Sequence, residues 1–168
     1  VIAALAEYRG QDPVALVLLG VALLGFLLIG VRLSVIDWRT HRLPDRIVLP
    51  SYPVAVLLLG AAAISAGQWH RVIAMLAGGA ILWTGFAALH LLNRRGLGFG
   101  DVKLAGLLGL YLGFAGWSAL WWGPAFGFVL GGLWSAALIL ARRAGPGSAI
   151  AFGPFLIAGA ALALAVLP

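Results

Sequence analysis

The stretch RRGLGFGDVKLAGLLGLYLG (residues 94–113) sets an aspartate, Asp101, between a glycine-rich approach and a long apolar run. A carboxylate at the mouth of a hydrophobic helix is costly to remove from water, so its presence calls for a reason. The rest of the chain decides what that run is. Of the 168 residues, 63% are hydrophobic and 10% are charged, and the mean hydropathy is +1.08. Soluble domains are only about half apolar and about a quarter charged. The composition therefore predicts an all-α, polytopic membrane protein. It predicts a single domain over residues 1–168, a bundle of six transmembrane helices at about 13–36, 47–66, 72–92, 102–116, 117–141 and 150–167. Pro50 and Pro53, in LPSYP, are expected to kink or delay the second span, and Gly123-Pro124 to interrupt the fifth.

The basic residues set an orientation. With the N-terminus outside, Arg32, Arg39, Arg42, Arg46, Arg94, Arg95, Lys103, Arg142 and Arg143 fall on the cytoplasmic side, and only Arg9 and Arg71 fall outside. Such an asymmetry is what the positive-inside rule describes, so the net charge of +6 reads as topology and anionic-lipid contact rather than nucleic-acid binding. Trp117, Trp121 and Trp122 then lie at the outer interface, where aromatic anchors sit. There is no cysteine, and His41, His70 and His90 fit no metal-ligand spacing, so no metal or other cofactor is predicted. The abundant glycines inside the spans read as close helix packing.

Five acids remain. Glu7 and Asp12 are external; Asp37, Asp45 and Asp101 are cytoplasmic. Asp37 closes the first span and Asp101 opens the fourth, so both lie at similar depth at the same end of the bundle. Two close aspartates share a proton, which is the arrangement of aspartic-protease chemistry. The simpler readings stay open. Asp37 pairs with Arg39 or Arg42, or it acts. Asp101 caps its helix by accepting from Lys103 or Leu104, or it acts. Asp45, after Pro44, reads as a cap, and Pro44 as the residue that fixes the loop after Asp37. Gly98 and Gly100 leave room for an extended peptide beside Asp101. Lys103 stabilises an aspartate, holds a structural acid, or snorkels to the headgroups. His90 reads as a packed histidine, and FGPF (152–155) as the broken start of the sixth helix.

Together, GFGDVKLAGLLGLYLG, DWRTHRLPDRIVLP and AIAFGPFLIAGA resemble, in order, three motifs of the type IV prepilin peptidases, a family of GxGD aspartic membrane proteases. Ala151 stands where the family usually has proline. The resemblance implies that Asp37 and Asp101 are the catalytic pair, and that Gly98, Gly100 and Lys103 are motif residues. It implies a substrate as well: a pilin-like precursor with a short basic leader and a hydrophobic helix, cut at the cytoplasmic face of the inner (plasma) membrane. Larger members carry an N-terminal region with paired CxxC zinc motifs and N-methylate the new N-terminus. The absence of cysteine here leads to the expectation of a peptidase-only short form, unless an upstream piece is missing. Other readings are a small transporter using the same acids as an ion site, a non-catalytic pilus-assembly protein, and a presenilin-type protease. The last is disfavoured because Ile36 precedes Asp37 and no Pro-Ala-Leu occurs.

Overall fold

The computed structural model describes residue 8 and residues 12–93, 96–142 and 151–167. Glu7, Arg9, Arg94, Arg95, Arg143 and the start of the expected sixth span lie outside the described residues. Among the described residues six helices follow one another: α1 (Pro13–Thr40), α2 (Asp45–Ser65), α3 (Trp69–Leu92), α4 (Phe99–Ala115), α5 (Trp117–Leu140) and α6 (Gly153–Val166). Helices are what a chain this apolar must form in lipid, because only they satisfy every backbone N–H and C=O within one segment. The chain is a polytopic all-α membrane protein. Helices α1, α2, α3 and α5 are long and apolar enough to cross a bilayer, and α6 is a shorter apolar helix.

The surface is inverted relative to a soluble domain. Leu28, Val31, Leu57, Ile73 and Leu133 all point outward, whereas the buried polar or charged side chains among the described residues are Asp37, Ser51 and Asp101. The Ser51 hydroxyl is spent on its own helix, donating to the Ile47 carbonyl at 2.7 Å. The two aspartates are the buried charges that packing alone does not explain.

Helix α4 is the hub. Residues Leu104 to Phe114 are buried without a break, and α4 packs against α2, α3, α5 and α6. Its closest neighbour is α3. A Cβ on Gly78 of α3 would come within 2.6 Å of the Gly109 carbonyl oxygen, so the two backbones meet where neither residue has a side chain. Association of helices in lipid has little hydrophobic driving force and relies on such close dispersion contact.

Several expected boundaries are corrected. Helix α1 runs on to Thr40, so Asp37 lies within its last turn instead of closing it. Its end is made by His41, which takes a left-handed conformation (φ 50°) and donates its N–H to the Asp37 carbonyl at 2.8 Å. Pro50 and Pro53 do not delay α2, which starts at Asp45 and contains both. Gly123-Pro124 does not break α5. Each proline removes one helical rung, but packing of α2 against α1, α3 and α4, and of α5 against α4 and α6, holds the helices through it. Helices α3 and α4 each begin three residues earlier than expected, at Trp69 and Phe99.

Candidate active site

Asp101 is the third residue of α4. It is not the N-cap. Gly98 holds that position, and the Asp101 carboxylate reaches back to accept from the Gly98 N–H at 3.1 Å while its own N–H donates to the Gly98 carbonyl at 3.1 Å. Its partner is thus Gly98 rather than Lys103 or Leu104. The sequence fold here is local: a carboxylate in the first helical turn faces unsatisfied N–H groups and the positive end of the helix dipole.

Asp37 sits in the opposite electrical setting, near the C-terminal end of α1, where the dipole disfavours a negative charge. Its compensation comes from far along the chain. The N–H of Gly153, the first residue of α6, donates to Asp37 Oδ2 at 3.0 Å in a buried environment. That N–H is one of the donors a helix start leaves unpaired, and the next residue, Pro154, has none to offer. Among the described residues Asp37 forms no ion pair with Arg39 or Arg42. A side chain on Gly153 has no room: its Cβ would lie 2.8 Å from Asp37 Oδ2 and 3.5 Å from Leu104 Cδ2. Leu104 is one turn beyond Asp101, so Asp37, the start of α6 and the first turn of α4 converge. Both aspartates are nearly excluded from solvent, at 4% and 9% exposure.

Two helix N-termini therefore serve two buried carboxylates at one end of the bundle. Such an arrangement holds a pair of acids in place without neutralising either by a cation.

Pro44 takes the N-cap position of α2 with an extended backbone (φ −73°, ψ 124°). Asp45 is the first residue of α2, and it does not cap the helix. Both of its carboxylate oxygens instead accept from Lys103 Nζ at 2.7 Å. Lys103 thus holds a structural acid, one of the roles open to it from sequence, and its ammonium also lies 5.1 Å from the Phe99 ring centre. Gly98 is extended with negative φ (−71°), so no left-handed conformation is required there. The space beside Gly100 is filled by the α1–α2 loop: a Cβ would come within 3.1 Å of Leu43 Cβ. His90 donates from Nδ1 to the Leu97 carbonyl at 2.7 Å, as a packed histidine does. Among the described residues no cluster of His, Cys, Asp and Glu is arranged to hold a metal ion.

Two contributors escaped the sequence reading. Gly153 was expected only to open a helix, and its N–H serves Asp37. Tyr52 of α2 was not singled out, yet its hydroxyl donates to the Lys103 carbonyl at 2.5 Å. The partners are 116 and 51 residues apart, and no local pattern announces them.

The fold and the site define a class: a helical membrane protein with a buried pair of aspartates at one end of its bundle. The chain belongs to the type IV leader peptidase family, whose model matches residues 21–167. It is similar to proteins named prepilin leader peptidase/N-methyltransferase. That of Dickeya chrysanthemi is 39% identical over 86% of this chain and 51% of the relative. That of Pseudomonas putida is 37% identical over 76% and 43%, and that of Escherichia coli (strain K12) is 34% identical over 80% and 58%. The chain thus spans about half the length of the curated relatives it matches. No solved structure matches it significantly.

Proposed function

We propose that the protein is an aspartic endopeptidase that removes the leader from type IV prepilin-like precursors, with Asp37 and Asp101 as its catalytic pair. The observation that carries this reading is the convergence of two buried carboxylates, on the two segments that resemble the family's aspartate motifs, at one end of the bundle. In hydrolysis, the ionised aspartate takes a proton from a water molecule as the water oxygen attacks the scissile carbonyl carbon. The protonated aspartate gives its proton to the carbonyl oxygen. Collapse of the tetrahedral intermediate breaks the C–N bond, and a proton passes to the leaving nitrogen. The N–H groups of Gly98 and Gly153 hold the two side chains at fixed orientations, which keeps the reacting groups aligned without further ordering.

The positive-inside asymmetry supports a cytoplasmic location for this end of the bundle and an extracytoplasmic N-terminus. The substrate in this reading is a precursor whose hydrophobic helix lies in the bilayer of the inner membrane and whose basic leader lies in the cytoplasm. We confine the assignment to peptide-bond hydrolysis, the reaction for which a pair of carboxylates suffices.

The test is cleavage of a purified pilin-like precursor in detergent by the protein and by its Asp37→Asn and Asp101→Asn variants. Each variant is expected to lose about 10³-fold in kcat, within the usual range for loss of a general acid or base. Normal cleavage by either variant overturns the pair. Solute movement in liposomes without any cleavage favours the transporter reading instead.

A further inference from the structure

Helix α4 is seated against α3 by backbone-distance contacts at Gly78, Gly109 and Gly113. Its face toward α3 is lined by glycine and leucine, which give close but non-directional contact. The directional contacts near Asp101 come from α2, and they converge on one residue. The Lys103 side chain is gripped by both oxygens of Asp45 at 2.7 Å. The Lys103 main-chain carbonyl accepts from the Tyr52 hydroxyl at 2.5 Å. Asp45 and Tyr52 are seven residues apart, two helical turns, so α2 presents them on one face.

The phenol is built into its place. Gly106 of α4 has no side chain where the Tyr52 hydroxyl lies, and Trp83 of α3 closes the far side, 3.0 Å from where a Cβ on Gly106 would stand. The N–H of Leu107 is the ordinary helical partner of the Lys103 carbonyl. The hydroxyl thus meets α4 at the Lys103 carbonyl, two residues beyond Asp101. A buried hydroxyl in lipid needs a partner, and this one has been given a backbone carbonyl that the helix does not need it to occupy.

We infer that Tyr52 is a positioning residue: with Asp45 it clamps Lys103 by main chain and side chain at once, and so fixes the rotation and height at which Asp101 faces Asp37. This rests on the peptidase reading for its effect on catalysis, but not for its effect on geometry. The exposed Asp45–Lys103 leg, at 55% and 21% exposure, is screened and weak alone. The half-buried Tyr52 leg carries the orientation.

The geometric arm uses a chain that contains no natural cysteine. In an Asp37→Cys/Asp101→Cys protein, purified in detergent, a short bis-maleimide joins the two thiols. Adding Tyr52→Phe is expected to cut the cross-linking rate severalfold at an unchanged melting temperature. In the kinetic arm, Tyr52→Phe alone is expected to lower kcat about tenfold with KM unchanged, the signature of misplaced reacting groups with intact substrate binding. Cross-linking and kcat both within twofold of the parent overturn the proposal. A raised KM at constant kcat overturns it too, because Tyr52 then contacts substrate. If no form of the protein cleaves, the peptidase reading fails and the cross-linking arm still decides the clamp. Should Tyr52→Phe not fold, Asp45→Asn takes its place in both arms with an expected fall of about threefold in cross-linking rate and in kcat. An unaltered cross-linking rate there overturns the two-legged clamp.

Discussion

Asp37 and Asp101 lie at the same end of the bundle, are both buried, and each accepts a hydrogen bond from a glycine N–H at a helix start. They differ in where that glycine comes from. Asp101 takes its donor from three residues away, within the turn that it helps to begin. Asp37 takes its donor from 116 residues away, on another helix. One carboxylate is placed by local chain geometry and the other by the assembly of the whole bundle. Local placement survives perturbation of packing, whereas tertiary placement is lost whenever α6 shifts against α1.

The sharpest way to break this contrast is a methyl group on each glycine. Gly153→Ala puts a Cβ 2.8 Å from Asp37 Oδ2, and either Asp37 or α6 must move. We expect a fall of about 10²-fold in kcat, since a shift of roughly 1 Å in a reacting group has that effect. Gly98→Ala puts its Cβ 3.4 Å from Asp101 Oδ2, an ordinary contact, on a backbone that alanine adopts freely. Its kcat should stay within about threefold of the parent, on general expectation for unstrained substitutions. Equal loss in the two variants, measured on the same precursor, would refute the local-versus-tertiary distinction.

Next in size is the cost of leaving donors unpaired. Asp37→Ala strands the buried Gly153 N–H and should destabilise the protein by about 1–3 kcal/mol, whereas Asp37→Asn retains an acceptor and should cost much less. Thermal melting in detergent separates the two. A melting temperature for Asp37→Ala no lower than for Asp37→Asn means that the hydrogen bond contributes nothing to stability.

A smaller effect belongs to the contact between Gly100 and Leu43. Gly100→Ala presses on Leu43 Cβ at 3.1 Å and should cost about 1–2 kcal/mol as an overpacked site. Leu43→Ala in the same chain leaves that Cβ in place but frees the rest of the side chain, so the loop has room to yield. Recovery of part of the lost stability in the double variant is the expected result, and strict additivity would show that the two do not press on each other.

The smallest effect is at the end of α1, on the Asp37 side. His41 holds a left-handed conformation that glycine adopts without strain. His41→Gly should raise stability by up to about 1 kcal/mol. A lower melting temperature would mean that the imidazole makes a contribution larger than the strain it bears.

The helices were legible because lipid leaves a chain few choices: each long apolar run had to satisfy its own backbone. Their limits were less so. Pro50 and Pro53 read as a kink or a delayed start and Pro124 as an interruption, and packing against neighbouring helices carried the helices through them. Asp101 was legible as a candidate because the glycines that frame it are adjacent in sequence. Asp45 was misread as a cap because its partner, Lys103, is 58 residues distant. Gly153 and Tyr52 carried no signal, since a glycine before a proline and a tyrosine between two prolines each have a sufficient local explanation.

The sequence by itself determined that this is a helical membrane protein, and it marked Asp37 and Asp101 as acids beside long apolar runs. Composition and short-range spacing are properties of the unfolded chain, and the demand for backbone hydrogen bonds in lipid acts on each segment separately. Only the tertiary structure decided that α6 would present an N–H to Asp37, and that α2 would grip Lys103 beside Asp101. Those contacts join residues tens of positions apart. They depend on how the helices pack, and small residues let α3 and α4 meet at backbone distance at the hub of the bundle.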